Sequence, residues 1–100
     1  MVYKIIWSSL AIQTYAGNIS YLEKEWSKKE VNNFIRATER KLALLKIFPA
    51  LGYSSKKKPN LKNTLIGKRI ILIYRINPKK NSIELIRFFN SWQDPSKIKL

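Results

Sequence analysis

The segment R-I-I-L-I-Y-R-I (residues 69–76), then N-P-K-K-N (77–81), then S-I-E-L-I-R-F-F-N (82–90) decides the fold. Two runs of β-branched and aromatic residues flank a turn of Asn, Pro and Lys. Pro78 cannot donate to a ladder and Asn tolerates left-handed backbone, so the segment reads as a β-hairpin with strands over 69–76 and 82–89. Both runs are apolar on both faces, which places them centrally in a sheet with helices on one side. Side chains alternate along a strand. Arg69, Ile71, Ile73 and Arg75 therefore share one face, and Ile70, Leu72, Tyr74 and Ile76 the other. In the second run Arg87 interrupts an apolar row. A face of Ile and Phe with scattered arginines is poor core and good binding surface.

Upstream of the hairpin, Leu61 to Ile66 predicts a further strand, and Gly67-Lys68 a tight turn leading out of it. Ala50 to Asn60, with Lys56, Lys57 and Lys58, reads as a loop. Three lysines there are either a solvated turn or a phosphate-contacting loop beside the sheet. At the start of the chain, Val2 to Trp7 alternates as a short strand, and serine at 8–9 is a natural N-cap. Apolar residues at Ile12, Tyr15, Ile19, Leu22 and Trp26 fall at steps of three and four and predict a helix over about 9–25. Gly17 and Asn18 weaken its middle, the glycine by about 1 kcal/mol. Ser27, with Glu30 three residues later, starts a second helix over about 28–48 in the manner of a capping box. Val31, Phe34, Ile35, Thr38, Leu42, Leu45 and Phe48 are expected on its inner face, and Pro49 ends it. The order is β-α-α-β-β-β. The fold class is α+β, with two antiparallel helices on one face of a small, mainly antiparallel sheet. The tail after Asn90 leaves the sheet, because Pro95 forbids a continued strand.

One hundred residues suit a single domain, 1–100, with one core. Twenty Lys and Arg against six Asp and Glu leave a net charge of +14. That balance favours acidic partners: nucleic acid, an acidic protein or anionic lipid. There is no cysteine and no histidine. Disulfides and thiolate metal sites are excluded, and the commonest general base and metal ligand is missing. No cofactor, no metal and no paired carboxylates for acid–base chemistry are expected. Glu23, Glu25, Glu30 and Glu39 are expected as surface ion pairs, with Glu84 isolated in its strand. Trp7, Trp26 and Tyr74 are expected in helix–sheet packing; Trp92 either closes the core or lies exposed as a contact. No apolar run approaches the ~18 residues of a membrane span, and the N-terminus is too interrupted for a signal peptide. The expected setting is soluble and cytoplasmic, without a membrane partner or a small-molecule cofactor.

Four stretches in order carry a resemblance. Y-K-I-I-W-S-S-L-A (3–11), the helix pair ending in F-P (48–49), I-L-I-Y-R-I (71–76) and F-F-N-S-W-Q-D-P-S-K (88–97) together resemble the RelE/ParE superfamily of toxins from bacterial type II toxin–antitoxin modules. The resemblance spans essentially the whole chain, though each motif alone is weak. It implies a growth-inhibiting toxin held silent by a cognate antitoxin, usually acidic where it wraps the toxin. The RelE-like branch cleaves mRNA in the ribosomal A site, where cations must stabilise charge as the ribose 2′-OH attacks in line. It uses lysines in the loop before the sheet, an arginine in the strand, a basic residue after the last strand and often a C-terminal Tyr or His. Lys56, Lys57, Lys58 and Lys62 could stand for the lysines. Aligned on Tyr74, however, Ile71 occupies the arginine position. The last-strand basic position falls near Trp92 or Gln93, and no Tyr or His follows Tyr74.

The missing set favours the ParE-like branch, which poisons DNA gyrase. Arg69, Ile71, Ile73, Arg75, Arg87 and Trp92 are then the expected antitoxin- or target-binding residues. Two alternatives stay open. One is a ribosome-dependent mRNA endoribonuclease that contacts nucleic acid through Lys56, Lys57, Lys58, Lys62, Arg75 and Arg87. The other is a non-toxic basic RNA-binding module.

Overall fold

The computed structural model describes residues 2–54, 58 and 60–90; Lys56, Lys57 and Trp92, expected above as contact residues, lie outside these. The elements are strand β1 (Lys4–Trp7), helices α1 (Ser9–Glu25) and α2 (Lys28–Ile47), a 3₁₀ turn (Pro49–Leu51), and strands β2 (Tyr53–Ser54), β3 (Leu61–Ile66), β4 (Ile70–Asn77) and β5 (Ser82–Asn90). They form one five-stranded sheet of order β1-β5-β4-β3-β2, antiparallel except where β1 runs parallel to β5. The expected β-α-α-β-β-β order holds, with the two-residue β2 added at one edge.

Local chemistry sets the boundaries. The Ser8 hydroxyl accepts from Ala11 N–H at 3.0 Å, and the Ser27 hydroxyl from Glu30 N–H at 3.3 Å. Trp26 caps the end of α1 and Ser27 the start of α2, so the turn between the helices is very tight. The capping box is only half made, because the Glu30 carboxylate turns to Arg69 instead, at 3.5 Å. Gly67 (φ 64°) turns β3 into β4, and Asn81 (φ 49°) closes the β4–β5 turn in the left-handed region that asparagine tolerates.

The core lies between the helices and one face of the sheet. Ala11, Leu22, Val31, Phe34 and Leu45 from the helices meet Ile66, Ile70, Leu72, Tyr74, Ile83, Leu85 and Phe88 from the strands. Aromatic rings fill its centre: Trp7 stacks on Phe88 at 5.5 Å between centroids, and Tyr15 lies within 5.2 Å of both Trp7 and Phe34. Three expected inner residues are outside. Ile12 is 56% exposed, Trp26 42% and Phe48 59%. The inner stripe of α1 runs instead through Ala11, Tyr15, Asn18 and Leu22. Steps of three and four fit two adjacent stripes, and periodicity alone picked the one with more apolar side chains.

Asn18 is inside for a polar reason. β1 pairs with β5 only from Ser82 to Leu85, so the edge of β5 beyond Leu85 has no strand partner there among the described residues. α1 lies along that edge. Ser8 Oγ donates to Ile86 O at 3.0 Å, Thr14 Oγ1 accepts from Phe88 N–H at 2.8 Å, and Asn18 Nδ2 donates to Thr14 O at 2.8 Å and Phe88 O at 3.3 Å. Side chains of the helix thus satisfy backbone groups that a buried strand edge would otherwise leave costly. The asparagine that weakens α1 as a helix former is a docking residue for the sheet.

A β-bulge sets the faces of β5. Ile73 lies opposite Arg87, but Tyr74 lies opposite Leu85, so Ile86 is the extra residue. Ile83, Leu85 and Phe88 therefore all face the helices. Arg87 and Phe89 face away, across from Ile73 and Ile71. Without the bulge Arg87 would continue the row of Ile83 and Leu85 into the core.

Candidate interaction surface

The face of the sheet turned away from the helices is assembled by register. Ile6 of β1 lies beside Glu84, Arg75 beside Glu84 and Leu61, Ile73 beside Arg87 and Asn63, Ile71 beside Phe89 and Leu65, and Tyr53 of β2 beside Asn63. The fold brings Ile71, Ile73, Arg75 and Arg87 together on this face. Their accessibility differs. Ile73 (8% exposed) and Phe89 (6%) are already buried within the chain. The apolar groups open to a partner are Ile6, Leu65 and Tyr53, at 44%, 51% and 79% exposed, with Ile71 half-buried.

The two arginines also differ. Arg75 meets Glu84 across the strands, with Nη2 to Oε1 at 2.6 Å and Nε to the same oxygen at 2.8 Å. Glu84 is therefore paired rather than isolated, a pairing that only the register supplies. Arg87 lies over the Phe89 ring, its guanidinium carbon 5.1 Å from the centroid, and its Nε is buried with no hydrogen-bond partner among the described residues. Cation–π contact leaves the in-plane N–H donors of a guanidinium available to a carboxylate.

Arg69, placed on this face by alternation, stands apart. It precedes β4 in the turn, and its guanidinium stacks over Trp26 at 4.0 Å and reaches Glu30 on α2. There it lines a cavity of about 210 Å³ with Leu22, Phe34, Ile66 and Ile70. The expectation of surface ion pairs holds for Glu30; Glu23, Glu25 and Glu39 pair with no cation among the described residues. Lys62 stands opposite Tyr74, hence on the helix side of the sheet, and its Nζ donates to Ser54 Oγ at 2.9 Å. Lys58 is exposed. Among the described residues considered for nucleic-acid contact, Arg75 and Arg87 lie on one face and Lys62 on the other.

Tyr74 fixes the corner between α2 and β2. Its hydroxyl donates to Pro49 O at 2.8 Å and accepts from Gly52 N–H at 2.9 Å. Burial pushes its pKa up, partly offset by the Gly52 hydrogen bond, so it serves as a neutral strut. No group of three or more metal-ligating side chains occurs among the described residues, and no helix among them is long and apolar enough to cross a membrane.

No protein-family model and no curated protein matches the sequence. Solved structures match the fold. The ParDE toxin–antitoxin system of P. aeruginosa superposes with a TM-score of 0.71 at 9% identity, covering 89% of this chain and 96% of that one. The toxin–antitoxin complex RelBE2 from Mycobacterium tuberculosis gives 0.66 at 12%, covering 90% and 99%. A doubly substituted E. coli toxin RelE in the free state gives 0.65 at 12%, covering 95% and 90%. The chain has the RelE/ParE toxin fold. RelE and ParE structures match it to a similar degree, so the fold does not separate the two branches.

Proposed function

We propose that this chain is the toxin of a type II toxin–antitoxin module, neutralised by an acidic antitoxin and inhibiting DNA gyrase in the ParE manner. The fold supports the first part, since its structural neighbours include toxin–antitoxin complexes. The single observation that supports the second is the dispersal of Lys62, Arg75 and Arg87 among the described residues. In-line attack on a phosphodiester needs cations converging on one phosphate. Here Arg75 is engaged by Glu84, Arg87 lies on the same face over Phe89, and Lys62 is on the opposite face, bonded to Ser54. Ile71, at the position where the RelE-like branch has an arginine, supplies no charge. Inhibition by protein–protein contact needs no such convergence. The open sheet face is the proposed antitoxin contact. Arg87 has no carboxylate partner among the described residues, and Ile71, Leu65 and Tyr53 are apolar anchors. Such a mixture of large apolar residues and arginine is typical of interface cores.

The test uses purified protein in two assays, gyrase supercoiling and cell-free translation with primer-extension mapping of the mRNA. The expected result is inhibited supercoiling with intact message. Cuts within codons, abolished by Arg75→Ala or Arg87→Ala, would establish the endoribonuclease instead.

A further inference from the structure

The cavity that Arg69 lines plays no part in the sheet-face contact. It lies where the end of α1, the start of α2 and the β3–β4 turn meet. Leu22, Phe34, Ile66 and Ile70 form its apolar wall, and all four are buried. Glu30, Lys68 and Arg69 form its polar rim. A Cβ on Gly67 would meet nothing within 4 Å, so the mouth is open on that side. The volume is about 210 Å³. An apolar cavity of about 150 Å³ holds a benzene ring. This one therefore has room for a ring and a short polar substituent, and lies below the roughly 300 Å³ at which drug-sized ligands fit. Charge at the rim selects the substituent, since two cations stand there against one carboxylate. Lys68 is exposed and has no ion-pair partner among the described residues. The contact of Arg69 with Glu30, at 3.5 Å, is longer than the ~2.7–2.9 Å of a tight charge-assisted bond. Trp26 holds the guanidinium in place by stacking at 4.0 Å, and stacking leaves its in-plane N–H donors to a carboxylate.

We infer that this cavity is a binding site for a small aromatic carboxylate, its ring against Leu22, Phe34, Ile66 and Ile70 and its carboxylate on Arg69 and Lys68. The inference stands on the cavity and is independent of the toxin reading. A rigid ring is favoured over a flexible chain because it fills apolar volume with no rotamers to freeze. The carboxylate competes with Glu30 for Arg69, and Glu30 has somewhere else to go. It stands three residues after Ser27, whose hydroxyl already accepts from Glu30 N–H. A full capping box takes the glutamate side chain back to the Ser27 N–H. A ligand that claims Arg69 therefore need not leave Glu30 without a donor. The bound ligand ties the end of the helix pair to the β3–β4 turn, so binding stabilises the fold by mass action.

The experiment is titration of the purified chain with indole-3-carboxylate, followed by amide and indole N–H shifts in two-dimensional NMR. Indole-3-carboxamide supplies the ring without the charge, and acetate the charge without the ring. Saturable shifts are expected at Gly67, Lys68, Arg69 and the Trp26 indole, with a dissociation constant of about 0.1–1 mM for a ligand of this size. The thermal midpoint should rise by roughly 5 °C at ten times that concentration. Arg69→Gln, shown folded by circular dichroism, should bind at least roughly tenfold more weakly, and Glu30→Gln several-fold more tightly. Opposite signs at two residues of one rim separate a site from a loss of folding, which would weaken both. Equal affinity for the carboxamide, equal shifts with acetate, unchanged affinity in Arg69→Gln, or shifts confined to other surfaces would each overturn the inference. Residues 91–100 follow Asn90, which pairs with Ile70 of the cavity wall. Binding that the wild type lacks and Trp92→Ala gains would assign the cavity to the chain's own C-terminal residues and also overturn it.

Discussion

Arg75 and Glu84 face each other across the central strands with Arg75 Nη2 2.6 Å from Glu84 Oε1, so one of the two arginines on the open sheet face is already neutralised within the chain. The Arg75 side chain is half exposed, so the pair itself contributes only about 0–1 kcal/mol to stability. Its consequence lies in binding. On the toxin reading, an antitoxin carboxylate placed near Arg75 would compete with Glu84, whereas Arg87 has no ion-pair partner among the described residues.

Charge reversal at the two positions should therefore differ. Arg87→Glu is expected to weaken antitoxin binding by about 2–5 kcal/mol where the pair is buried in the complex, and Arg75→Glu by clearly less. Titration of both variants with the adjacent gene product decides it. Equal losses would mean that the antitoxin displaces Glu84.

Thr14 is predicted to matter more to stability than its place on a helix suggests. Thr14→Val keeps the shape but leaves Phe88 N–H without its acceptor at a part-buried strand edge. The cost is expected at about 1–3 kcal/mol. Urea denaturation measures it, with exposed Thr14 surroundings controlled by Gln13→Ala, which should change little. A midpoint unchanged by Thr14→Val would show that another group satisfies the β5 edge.

Gly52 is constrained by space rather than by backbone angle. A Cβ there would sit 2.6 Å from Asn63 O and 2.7 Å from the Tyr74 hydroxyl. Gly52→Ala must push the 3₁₀ turn away from β3 and break the Tyr74 strut, for an expected loss of about 1–3 kcal/mol. Thermal unfolding of Gly52→Ala beside Tyr74→Phe tests this. If the strut is the shared element, the double variant should lose less than the sum of the two.

Alkaline pH should destabilise the fold through two tyrosines. Burial raises the pKa of Tyr74 above its usual value near 10, and burial with the nearby negative charge of Glu39 raises that of Tyr15. Both raised values mean that the folded chain holds the phenolic proton more tightly than the unfolded chain. The stability this provides is fully present below pH ~10 and is lost as pH rises through the folded values. Urea midpoints should fall above that pH, less steeply in Tyr74→Phe. Ultraviolet titration of the folded chain in which all five tyrosines ionise together near pH 10 would contradict this.

The secondary structure was legible in the residues themselves, because caps, turns and strand runs act locally. Ser8 and Ser27 start the helices, Pro49 stops the second, Gly67 and Asn81 turn the strands, and the apolar runs at 70–77 and 82–90 lie at the sheet's centre. Four stretches in order (3–11, 48–49, 71–76 and 88–97) carried the resemblance to the RelE/ParE superfamily, and the fold it implied has this element order. Tertiary structure decided what depends on pairing between distant segments. The bulge at Ile86 turns Arg87 out of the core, and no count along β5 alone reveals it. The partnership of Arg75 with Glu84 exists only once the hairpin register is set. The buried place of Asn18 follows from the β5 edge it serves, 70 residues away in the chain. The exposure of Ile12 and Phe48 reflects how far each helix is rotated about its axis. Helical period leaves that rotation free, and packing against the sheet chooses it.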